Sequence, residues 1–74
     1  MNNFKKFRVV NHFTQRELAE LIGSAQPYIC MIEKSNDDDA IIRYIDKYKM
    51  QLLCELYDCQ PEDLVDEHLV KYYK

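Results

Sequence analysis

Gln15 and Gln26 carry the most specific recognition chemistry in this chain of 74 residues. The Gln26 amide can pair its oxygen and one N–H with N6 and N7 of adenine. Gln15 follows Thr14, a helix-capping residue type, so it falls at a helix N-terminus. Backbone amides and the helix dipole favour a phosphate there. Around Gln26 stand Pro27, Tyr28, Cys30 and Met31. A tyrosine can donate to a phosphate or pack on a thymine methyl, and a methionine can do the latter. The other reactive side chains form no comparable set. Cys30, Cys54 and Cys59 are odd in number and widely spaced, with His12 and His68 distant. This is a poor zinc pattern, and free, reduced thiols in a cytoplasmic protein are expected. There is no Gly-rich phosphate loop, no HExxH and no Ser/His/Asp pattern. Hence no catalysis, cofactor, metal or small-molecule substrate is expected. His12 reads as a surface loop residue.

The elements that must position these residues lie between Thr14 and Glu33. Thr14 with Glu17 three residues on makes a capping box. Leu18, Ala19, Leu21 and Ile22 follow as an apolar stripe at helical spacing. Gly23 is the chain's one glycine, and it stands where a left-handed residue usually ends a helix. Ser24 can cap the next helix, with Pro27 in the first turn. Ile29 and Ile32 face inward beside Leu18 and Ile22.

Thr14, Gln15, Leu18, Ala19, Ile22, Gly23, Ile29, Ile32 and Glu33 stand at the spacing of the helix-turn-helix in Cro/C1-type (Xre-like) DNA-binding proteins. The chain resembles that family over residues about 4–66, with 67–74 a C-terminal tail. The resemblance implies an all-α fold, a five-helix lambda-repressor-like domain filling residues 1–74. It also implies a sequence-specific transcriptional regulator of phage or mobile-element type. Such a protein would bind operator double-stranded DNA through the helix at about 25–33, as a homodimer. The second helix of such a motif enters the major groove. By that resemblance Gln15, Arg16, Gln26, Pro27, Tyr28, Met31 and Lys34 would meet DNA, with Arg8, Arg16 and Lys34 supplying positive charge.

Two features depart from the family and open a second reading. No arginine or lysine lies between Arg16 and Lys34, although such residues supply much of the affinity for DNA. Asp37, Asp38 and Asp39 follow in a loop that would repel a phosphate, unless one of them caps the next helix. The net charge is −3. Residues 1–36 hold five basic and three acidic residues, a balance of +2, while 37–74 hold five against ten, a balance of −5. Any nucleic-acid face therefore belongs to the first half. The alternative is a helix-turn-helix-derived protein-interaction module, inhibitor or antirepressor-like, with weak or no DNA binding.

The remaining segments read as helices. Phe4, Phe7 and Val10 recur every three residues over 3–12, with Phe13 beyond. Ile41, Ile45, Tyr48, Leu52 and Leu56 predict one lengthened fourth helix over 39–57, with Ile41, Tyr44 and Tyr48 projecting as an overhang or folding back on the first helix. Pro61 starts a last helix whose inner face is Leu64, Val65, His68 and Leu69. No stretch is apolar enough for a membrane span.

Overall fold

The computed structural model describes residues 3–35 and 39–74. Among these it is all-α, with no strand. Seven helices run in order: α1 (Phe4–Val10), α2 (Gln15–Ile22), α3 (Gln26–Lys34), α4 (Ala40–Tyr44), α5 (Lys47–Tyr57), α6 (Pro61–Leu64) and α7 (Glu67–Val70). The expected count of five is therefore corrected. Two predicted helices are each divided by a local stop.

The α2–turn–α3 unit forms as its sequence dictates. The Glu17 N–H donates to Thr14 Oγ1 at 3.0 Å, and the Thr14 N–H donates to the Glu17 carboxylate at 2.9 Å. The Thr14 N–H, and after it the Thr14 side chain, lower the Glu17 carboxyl pKa from its ordinary value. Gly23 ends α2 at φ 71°, and the space beside its Cα is open. The backbone angle alone therefore selects glycine. Ser24 does not cap α3. Ala25 takes that position, and the buried Ser24 hydroxyl finds no partner among the described residues.

Leu18, Ala19 and Ile22 of α2 pack with Ile29 and Ile32 of α3, all buried. Phe4 joins them from α1, with Phe7 and Phe13 half-buried. The Phe7 and Phe13 rings lie 5.5 and 6.3 Å from that of Tyr57. Val10 and Leu21, expected to face inward, are exposed. A spacing of three falls about 60° short of a full turn. Val10 is thus carried well off the Phe4 stripe. Leu21 lies a similar distance from the centre of Leu18, Ala19 and Ile22.

The single helix expected over 39–57 is broken at Ile45 and Asp46. Ile45 is extended (φ −118°, ψ 102°), and the Asp46 carboxylate accepts from the Lys49 N–H at 2.8 Å. Asp46 is therefore an N-cap, competing successfully with helix continuation. The turn sends Ile41 and Ile45 into the core beside Met50 and Leu53. Of the two placements expected, an overhang or a fold back on the first helix, the overhang does not form: Ile41 is buried, Tyr44 is half-buried and α4 packs chiefly against α3, although Tyr48 is exposed.

The C-terminal end belongs to the fold. α6 stops at Leu64, and Leu64, Val65, Leu69 and Tyr73 are buried. The Tyr73 hydroxyl donates to the Ile45 carbonyl at 2.8 Å, closing over the α4–α5 break. His68, expected on the inner face, instead lies at the surface with Nε2 3.0 Å from Asp39 Oδ1. No helix among the described residues is long and apolar enough to cross a membrane.

Candidate nucleic-acid interface on the third helix

α3 presents two chemically opposite faces. Its inner face buries Ile29 and Ile32, and with them a carboxylate. The Glu33 side chain is 3 % exposed and that of Arg8 12 %. Arg8 Nε donates to Glu33 Oε2 at 2.7 Å, and Nη2 donates to Oε1 at 3.0 Å. The remaining guanidinium nitrogen, Nη1, donates to the Phe13 carbonyl at 2.7 Å. The planar fork thus matches the carboxylate bidentately. The hydrogen bond to Glu33 raises the Arg8 pKa, and burial opposes that rise. This pair ties α1 to α3.

Gln15 closes the same cluster from α2. Its Nε2 donates to Glu33 Oε1 at 3.1 Å. One of its two amide donors is thereby used inward, and the second is the one a phosphate could take. Arg8, expected to add positive charge around DNA, is neutralised inside. No sequence signal paired it with Glu33 beyond the placing of both in the family pattern. Burial of a matched pair is the stable outcome once both side chains point inward.

The outer face of α3 carries the predicted recognition residues. Gln26, Pro27, Tyr28, Met31 and Lys34 are exposed, and Cys30 is half-buried. Tyr28 is 47 % exposed and Met31 51 %. Arg16 lies on the first turn of α2, solvated, with Nε 3.5 Å from Glu20 Oε1. Such an exposed i,i+4 pair holds its charge weakly. Six of the seven predicted residues thus face solvent on α2 and α3, and Gln15 turns inward at the base. Asp37 and Asp38 lie outside the described residues. Asp39 stands at the start of α4 without a capping bond, beside His68.

The structure adds three residues to this face. Tyr44 stacks on Tyr28, with ring centres 5.1 Å apart and planes 17° from parallel. Its hydroxyl donates to Met31 Sδ at 3.6 Å. Arg43 and Lys49 line, with Gly23, Ser24, Ala25, Tyr28 and Tyr44, a groove of about 500 Å³. Lys49 Nζ is 3.6 Å from Asp46 Oδ2. A continuous helix would have carried α4 away from α3. Asp46 and its capping of Lys49 were the signal that would have placed these residues.

The site offers one free amide, two aromatic rings, a thioether and basic groups on and around the outer face of α3. It can bind by hydrogen bonding and apolar contact. No group of three or more His, Cys, Asp and Glu residues able to hold a metal ion occurs among the described residues. No family model, curated protein or solved structure matches the chain.

Proposed function

We propose that the chain is a sequence-specific DNA-binding transcriptional regulator of phage or mobile-element type, acting in the cytoplasm on operator DNA as a homodimer. The observation that carries this reading is the outer face of α3. It exposes Gln26, Tyr28 and Met31, while Ile29, Ile32 and Glu33 fix the opposite side. A helix, a three-residue turn and a second helix so anchored resemble the motif whose second helix docks in the major groove. On this reading the fold is lambda-repressor-like. Gln26 reads adenine, and Tyr28, Met31 and Pro27 form the apolar contact. Arg16, Lys34, Arg43, Lys49 and the second donor of Gln15 meet phosphates. In proteins with this motif, dimers bind two half-sites one DNA turn, ~34 Å, apart. On this reading two copies bind, one on each half-site.

The net charge of −3 and the Tyr28–Tyr44–Met31 patch favour a second reading. In it the same face binds a protein, as an inhibitor or antirepressor would, with weak or no DNA binding.

Selection of bound duplexes from a random-sequence pool separates the two. The first reading expects an enriched motif of two inverted half-sites, with sedimentation showing two copies on each duplex. A pool no different from its input after several rounds at low salt would remove it.

A further inference from the structure

Tyr44 lies outside the α2–turn–α3 unit, yet it touches both large apolar side chains on the outer face of α3. Its ring stacks on Tyr28 and its hydroxyl donates to Met31 Sδ. Both partners are about half exposed, so the contact leaves surface for a ligand. One residue therefore holds two otherwise mobile side chains in a single arrangement before any ligand arrives. Such preorganisation removes ordering costs from binding.

The resulting surface has a definite preference among bases. The outward positions Gln26, Pro27, Tyr28 and Met31 offer one amide, one phenol hydroxyl and otherwise apolar groups, and the cations of this face, Lys34, Arg43 and Lys49, are assigned to phosphates in the reading above. The apolar feature unique to the major groove is the thymine C5-methyl. We infer that Tyr44 is a positioning residue which sets Tyr28 and Met31 as a thymine-methyl-reading surface, so that the operator half-site is built on A·T pairs whose methyl groups carry the specificity. This inference rests on the DNA-binding reading above.

Duplexes enriched from the random pool are resynthesised with deoxyuridine in place of thymidine, which removes the methyl and keeps the pairing. Wild-type protein is expected to bind each uracil duplex about fourfold more weakly for every contacted methyl lost, and about fifteenfold for two half-sites. Tyr44→Phe, which keeps the ring stack, is expected to retain a thymine-over-uracil ratio well above one. Tyr44→Ala is expected to bring the ratio close to one while its salt dependence stays that of wild type. Tyr28→Ala, at an exposed position, must lose the ratio as well, and it decides the matter should Tyr44→Ala fail to fold. Equal binding of thymine and uracil duplexes by wild type, or an enriched motif dominated by guanine, overturns the inference and leaves DNA binding standing. Absence of binding to any duplex overturns both.

Discussion

The two faces of α3 invert the usual distribution of polarity. Inside, Glu33 is a charged group almost wholly removed from water, matched by Arg8 and Gln15. Outside, Tyr28 and Met31 are apolar groups left about half in water, held by Tyr44. The inner arrangement explains how α1, α2 and α3 keep their mutual placement. The outer one contributes little to folding, because its side chains are already largely solvated. In the function proposed above, this apolar surface, which the fold does not need, is the binding surface. The buried charge thus builds the frame, and on that proposal the exposed aromatics do the binding.

The largest effect should come from breaking the inner face. Glu33→Ala leaves Arg8 buried without its partner, and should cost roughly 3–5 kcal/mol by urea denaturation. Replacing both, Arg8→Met with Glu33→Leu, should recover most of that loss. A single variant as stable as wild type would show that the pair is not part of the frame. Ile32→Ala, in the same layer, should cost roughly 2–5 kcal/mol. An unchanged melting temperature would mean that the core lies elsewhere.

Alkaline titration probes the frame from its far end. Burial pushes the hydroxyls of Tyr73 and Tyr57 up to about 12 from 10. The folded state thus holds protons that the unfolded state releases, so stability is full below pH 10 and lost as pH rises toward 12. Tyr73→Phe should flatten that loss, measured by circular dichroism. A profile identical to wild type would show that Tyr73 does not close the fold. Asp46→Ala should be milder still, at about 1 kcal/mol, since it removes one cap. A small effect on stability is expected outside: Tyr28→Ala should cost about 0.5–1 kcal/mol, the worth of one half-exposed ring stack. A collapse of the fold on that substitution would mean that the outer face belongs to the core.

Legibility in the sequence follows the same division. The α2–turn–α3 unit was readable because its signals are local and redundant. Thr14 with Glu17, Gly23 and the spacing of Leu18, Ile22, Ile29 and Ile32 all agree. The α4–α5 break was not readable from periodicity. Ile41, Ile45, Leu52 and Leu56 keep helical spacing across it, and only Asp46, a capping residue inside the run, marks it. That break moves Arg43, Tyr44 and Lys49 beside α3, so these three residues of the candidate site were hidden with it. The Arg8–Glu33 pair was hidden for another reason. Two charges 25 residues apart reveal no contact until three helices have packed.

Fluorescence anisotropy of wild type and Gln26→Ala on a duplex carrying the enriched motif, and on a random duplex, at two salt concentrations tests the central claim most directly. Wild type should bind the motif more tightly than random sequence and weaken as salt rises. Gln26→Ala should lose the preference for the motif by about tenfold or more and keep the salt response. Equal affinity of the two proteins for both duplexes would contradict base reading by α3. No binding at low salt would contradict DNA binding itself.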